Sequence, residues 1–235
     1  VKIQTPVKTR MTLGHNTPGV EPWMVFTPML SFAGLAVLML TGATQAWDEL
    51  LLLALRPEGP AAPFAAGWLL PLLRVLTEAG DVPVLSVVAV ATVLVSILRG
   101  RTRDALFMAL CTLGGVVLML ATKEFLARPR PGVVTALAEV STLSFPSGHA
   151  LMSVAVYLPL ALLLLDSARL RAIKHGRWLV AVPLIVGLLL IAFSRLYLGV
   201  HYPTDVLAGW GLGLAWVLLW TKWWHGLPSA EGAGA

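Results

Sequence analysis

The stretch Ser194-Arg195-Leu196-Tyr197-Leu198-Gly199-Val200-His201-Tyr202-Pro203-Thr204-Asp205 lies between two long apolar runs, Trp178 to Phe193 and Val206 to Trp220. An arginine, a histidine and an aspartate therefore meet within eleven residues at a membrane boundary. Ionisable groups at such depth cost about 2.5 to 3.5 kcal/mol each on insertion scales unless they are paired, hydrated or bound to a ligand. The stretch reads as a junction between two membrane-spanning helices with a polar site built into it.

The rest of the chain supports that reading. Of 235 residues, 57% are hydrophobic and 12% are charged, and the mean hydropathy is +0.82. Soluble domains carry about 25% charged residues, so the composition is that of a membrane protein. No polar linker separates independent apolar blocks, so one domain is expected over 26–224, with tails at 1–25 and 225–235. The apolar runs Phe26–Gly42, Val82–Leu98, Ala105–Thr122, His149–Leu165, Trp178–Phe193 and Val206–Trp220 approach the roughly 20 residues that a span needs. Asp48–Leu55 and Trp68–Leu76 are too short for that, and are expected to be helices at the interface, either roofing the site or simply connecting spans. Lys123–Phe145, with Pro129 and Pro131 inside it and Pro146 behind it, reads as a polar, turn-rich loop. Trp23, Trp223 and Trp224 suit the aromatic belts. The expected fold is all-α: a six-transmembrane helix bundle with short interfacial helices between the first and second spans.

The net charge of +5 comes from basic residues in short loops between apolar runs, which argues against nucleic acid and for membrane orientation. Lys2, Lys8, Arg10, Arg99, Arg101, Arg103, Arg169, Arg171, Lys174, Arg177 and Lys222 fall on one side of a six-span layout. The other side holds Asp48, Glu49, Glu58, Glu78 and Asp81 against Arg56 and Arg74. The positive-inside rule then places both termini in the cytoplasm and the polar loops outside. Val1–Glu21 lacks an apolar core, so no cleavable signal peptide is expected; Met11 offers an alternative start. Cys111, the single cysteine, reads as a small core residue.

Three clusters fall on the outer face. In Lys123-Glu124-Phe125-Leu126-Ala127-Arg128-Pro129-Arg130-Pro131, Lys123 offers a point charge and Arg130 a planar fork matched to phosphate oxygens. Alone, this is equally a basic patch for lipid headgroups, a role left open for Arg128. In Phe145-Pro146-Ser147-Gly148-His149, Ser147 suits an N-cap, and Gly148 permits close approach to a helix N-terminus that favours anions. His149 can hold or donate a proton near neutral pH. In the opening stretch, Pro203 suits the first helical turn, Arg195 adds a second fork, and Asp205 lies four residues beyond His201. An aspartate so placed can fix the imidazole tautomer. Two histidines and one carboxylate among three cations make a poor metal site, so neither a metal nor a cofactor is expected. The set suits a phosphoryl group, whose charge spreads over equatorial oxygens. Gly209, Gly211 and Gly213 read as a small-residue packing face, Glu124 as a solvated or paired charge, and Tyr197 and Tyr202 are left unassigned.

Lys123 with six residues before Arg130-Pro131, then Pro146-Ser147-Gly148-His149, then Ser194-Arg195 with five residues before His201 and three more before Asp205, resembles the tripartite signature of the type 2 phosphatidic acid phosphatase superfamily. The apolar chain is similar to its membrane lipid phosphatases rather than to its soluble vanadium haloperoxidases. The resemblance implies a metal-independent hydrolase of the inner (plasma) membrane of a bacterium. Its substrate would be phosphatidic acid, phosphatidylglycerol phosphate, undecaprenyl pyrophosphate or lipid A. It further implies that His201 is a nucleophile forming a phosphohistidine, with Asp205 orienting it and His149 protonating the leaving group. Lys123, Arg130, Ser147, Gly148 and Arg195 would bind the phosphate. Membrane lipids are the expected partners, and no oligomeric state is implied. A transporter that binds an anionic lipid without cleaving it is the competing reading, although no internal repeat supports it.

Overall fold

The computed structural model describes residues 20–226, and residues 1–19, with Lys2, Lys8, Arg10 and Met11, and 227–235 lie outside them. The described residues form helices and connecting turns, with no strand. In chain order the helices are α1 (Pro22–Leu40), α2 (Gln45–Ala54), α3 (Ala66–Glu78), α4 (Val82–Leu98), α5 (Thr102–Leu126), α6 (Gly148–Leu165), α7 (Ala168–Arg171), α8 (Gly176–Tyr197) and α9 (Pro203–Gly226). Six apolar segments are long enough to cross a bilayer: α1, α3–α4 taken together, α5, α6, α8 and α9. The chain is thus an integral, multi-pass membrane protein of all-α fold.

Local chemistry places the ends of these helices. Proline occupies the first turn of α1, α4 and α9, where its missing N–H leaves no helical bond unmade. Pro28, Pro71, Pro159 and Pro183 sit inside helices, as membrane helices tolerate. The third span extends beyond its expected end at Thr122: α5 continues to Leu126 and stops at Ala127, which adopts left-handed φ just ahead of Arg128-Pro129. Lys123 and Glu124 therefore lie on the last helical turn, not in a loop, and Glu124 is exposed.

α6 and α9 form the centre, each with 56% of its apolar window buried, against 11% for α1. The glycines of α9 make this packing possible in two directions. A Cβ on Gly209 would lie 2.7 Å from the Ser147 carbonyl oxygen, and one on Gly213 would lie 2.9 Å from that of Leu151, both on the α6 side. Gly211 instead meets α1 at the Pro28 carbonyl. Leu98 (85% exposed) and Phe125 (87%) point outward, where acyl chains rather than water are the solvent.

The two short helices between the first and second spans exist, but neither is a simple roof. α2 turns Asp48 and Leu52 inward, while α3 buries Leu69, Leu73 and Thr77 at four-residue spacing against α8 and Tyr197. At the far end of the bundle Trp224 departs from the belt role expected of it. It is buried, stacked on Phe107 at 5.0 Å, and donates from Nε1 to Asp104 at 3.0 Å. Cys111 is fully buried in the same cluster.

Candidate active site

The α8–α9 junction, the start of α6, the end of α5 and the α3–α4 turn meet at one end of the bundle around a cavity of about 570 Å³. Lys123, Arg130, Gly148, His149, Arg195 and His201 all line it. The two histidines thus share one compartment. Ser147 and Asp205 do not line it; they lie behind Gly148 and His201.

His201 is 1% exposed, in the five-residue turn between α8 and α9. Its Nε2 stands 3.1 Å from a terminal nitrogen of Arg130. A guanidinium can only donate, so Nε2 is the acceptor and the neutral ring carries its proton on Nδ1. Nδ1 faces Asp205 Oδ2 and Ser144 Oγ, each at 3.5 Å. Burial pushes the His201 pKa down to about 4; the hydrogen bond and charge of Asp205 oppose that shift, and Arg130 and Arg195 add to it. The imidazole is therefore neutral near pH 7, with its Nε2 lone pair on the cavity side accepting from Arg130.

Asp205 is held from several directions. Ser144 Oγ donates to Oδ2 at 2.5 Å, the Tyr202 backbone N–H donates to Oδ2 at 2.8 Å, and Arg128 donates to Oδ1 at 2.7 Å. The Asp205 carbonyl accepts the Ser147 backbone N–H at 2.9 Å, which ties the start of α9 to the start of α6. Ser147 occupies the N-cap position of α6, but its hydroxyl makes no capping bond, contrary to the expectation. Its Oγ is buried without a hydrogen-bond partner among the described residues, as are His149 Nε2 and Arg195 Nε.

The cavity's cations rest on neutral groups. Lys123 donates to the Leu143 carbonyl. Arg130 donates to the carbonyls of Thr142 at 2.7 Å and Val200 at 2.5 Å, and Arg195 to Thr77 Oγ1 at 2.9 Å. Among the described residues none of the three has a carboxylate within ion-pair distance. Burial lowers the Arg130 pKa, and Asp205 partly offsets it. His149 faces Asp81 across 3.5 Å. Among the described residues no group of three His, Cys, Asp or Glu side chains is placed to hold a metal ion.

Arg128, left open as a headgroup contact, is not one: it is 5% exposed, bridging Asp205 and Asp48 with Tyr202 over its guanidinium at 4.0 Å. Burial works against its charge, yet the two carboxylates outweigh this and raise its pKa. Tyr197 is likewise away from the cavity, buried against α3 with its hydroxyl donating to the Phe64 carbonyl at 2.8 Å. Sequence reasoning missed Ser144, Asp48 and Asp81. No spacing rule reaches them, and Asp48 and its neighbour Glu49 are told apart only by the packing that buries the first.

This fold and this residue set define a transmembrane member of a known family. The chain belongs to the PAP2 superfamily, whose profile matches residues 104–228. It is 36% identical over 114 residues to phosphatidylglycerophosphatase B of Bacillus subtilis, which covers 48% of this chain and 55% of that one. It is also 40% identical over 74 residues to an undecaprenyl-diphosphatase of Sulfolobus acidocaldarius, 32% of this chain and 30% of that protein. The chain thus spans about half or less of the length of these curated relatives. The crystal structure of a transmembrane PAP2-type phosphatidylglycerolphosphate phosphatase from Bacillus subtilis superposes with a TM-score of 0.74 at 28% identity, covering 88% of this chain and 99% of that one.

Proposed function

We propose that the protein is a membrane lipid phosphatase that works through a phosphohistidine on His201. The observation that carries this reading is the placement of His201 Nε2, backed by Asp205 through Nδ1 and facing a cavity that also holds His149 and three cations without carboxylate partners. Nε2 attacks phosphorus as the P–O bond to the leaving group breaks, and Asp205 stabilises the cationic ring that results. His149 gives its proton to the departing oxygen. In the second step it takes a proton from water, which cleaves the N–P bond and frees phosphate. Lys123, Arg130 and Arg195 bind the equatorial oxygens, and the Gly148 N–H and Ser147 at the α6 N-terminus assist.

The cavity also supports a lipid substrate. Leu85 of α4, Val116 and Leu120 of α5 and Met152 of α6 form its apolar wall, where a tail can lie while the phosphate meets the polar floor. Phosphatidic acid, phosphatidylglycerol phosphate and undecaprenyl pyrophosphate are the candidate substrates, the latter two in keeping with the relatives. The site end of the bundle faces outward: Arg99, Arg101, Arg103, Arg169, Arg171, Lys174 and Arg177 cluster at the opposite end, the cytoplasmic one by the positive-inside rule. The start of α1 and the end of α9 lie at that same end, so both termini are then cytoplasmic. Detergent-solubilised protein in EDTA should release phosphate from at least one of the three lipids, and His201→Ala should abolish it. Lipid movement between leaflets without phosphate release would instead establish the transporter.

A further inference from the structure

The hydrogen-bonded geometry around His201 continues inward, away from the cavity, into a buried polar cluster whose far member belongs to α2. Asp48 is 1% exposed and Asp205 is fully buried, with Arg128 between them. One guanidinium nitrogen of Arg128 donates to Asp205 Oδ1 at 2.7 Å and to Thr204 Oγ1 at 2.8 Å. The other donates to Asp48 Oδ2 at 2.8 Å and to Gln45 Oε1 at 3.0 Å. Asp48 in turn receives the Thr204 backbone N–H at 3.0 Å and the Thr204 hydroxyl at 2.6 Å. An acid on α2 thereby satisfies an N–H in the first turn of α9, one residue before Asp205.

We propose that Arg128 and Asp48 are positioning residues for the reaction: the clamp they form fixes the Asp205 carboxylate that backs His201. The inference rests on the reading of His201 as the nucleophile. Two physical arguments carry it. Arg128 claims Oδ1 of Asp205, so Oδ2 is left to face the imidazole, and the carboxylate cannot rotate without breaking a buried charge-assisted bond. One cation shared between two carboxylates also leaves one negative charge in excess. That excess sits beside the ring that must become cationic when it attacks. Without Asp48, Arg128 would neutralise Asp205 alone and the support for that cation would weaken. A planar fork is needed because the two acids lie on opposite sides of it, which a lysine ammonium cannot span.

The test compares full-length Asp48→Asn and Arg128→Lys with wild type in detergent, by two readouts. Steady-state phosphate release from short-chain phosphatidic acid should show kcat lowered on the order of 10- to 100-fold, the range typical of outer partners that orient a functional imidazole, with KM within about twofold. Histidine ¹⁵N NMR, with the His201 signal assigned by its loss in His201→Gln, should show the Nδ1–H tautomer in wild type and a mixture in either variant. A merely structural role would lower the folded fraction without changing the tautomer of what remains folded. If Asp48→Asn does not accumulate, Arg128→Lys, which keeps the buried charge, gives both readouts. Wild-type kcat and an unchanged tautomer in a folded variant would overturn the clamp. A wild type that releases no phosphate from phosphatidic acid, phosphatidylglycerol phosphate or undecaprenyl pyrophosphate would overturn the phosphatase reading alone, because the tautomer still decides the clamp.

Discussion

On its Nδ1 side His201 meets Asp205 and Ser144, with Arg128, Asp48, Thr204 and Gln45 packed behind them. On its Nε2 side it shares a cavity with Arg130, Arg195, Lys123 and His149. The first region is buried and saturated: carboxylates and donors answer one another at 2.5 to 3.0 Å. The second has cations propped on carbonyls and a threonine hydroxyl, and buried atoms on Ser147 and Arg195 with no hydrogen-bond partner among the described residues. A protein interior ordinarily avoids both unpaired charge and unpartnered polar atoms, since each costs about 1–3 kcal/mol or more. The saturated side therefore holds a geometry, and the unsaturated side is where the phosphate of the proposed reaction would find its partners.

Removing the residue at the junction has the largest expected effect. His201→Gln should lose at least on the order of 10⁴-fold in phosphate release, measured in single-turnover assays, because neither side can act without the ring between them. Next, Arg195→Gln separates the two regions most sharply. It should lower kcat/KM by roughly 10²- to 10³-fold. Thermal unfolding should stay unchanged or move upward, since one of several like charges is removed from the cavity. A large fall in unfolding temperature would mean that the cations are structural and would break the contrast.

Gly209→Ala probes how the two regions are joined. The added Cβ at 2.7 Å from the Ser147 carbonyl must push α6 away from α9. A loss of about 1–3 kcal/mol in stability is expected, read as a lower unfolding temperature, with His149 and His201 drawn out of register and activity reduced. The smallest effect is on pH. The proposed mechanism requires a neutral His201, and protonation removes that form as pH falls through about 4. The part of the kcat/KM profile governed by His201 should therefore fall on the acid side near pH 4 rather than near the ordinary histidine value of about 6.5, with little change between pH 7 and 5.5. An acid limb near 6.5 in that profile would show that water reaches the saturated side.

The helical architecture was legible in the amino-acid sequence because lipid as solvent leaves few choices. Backbone groups must bond within their own segment, and a span must be apolar for about 20 residues. The spacings from Lys123 to Arg130, from Pro146 to His149 and from Arg195 to His201 and Asp205 likewise mark residues that the fold then gathers at one end of the bundle. Tertiary structure alone decided the roles of the neighbours. Arg128 and Arg130 are two residues apart and chemically identical, yet one is buried between carboxylates and the other stands at the cavity. Their difference depends on Asp48, 80 residues earlier, and on the turn after Ala127 that aims them apart. Trp224 was misjudged for the same reason, since only its neighbours Phe107 and Asp104 distinguish a core tryptophan from a belt tryptophan. Local sequence specifies which groups a segment carries and where the solvent boundary falls. Which charge meets which partner is settled by packing between distant segments, because burial and pairing are properties of the contact and not of the residue.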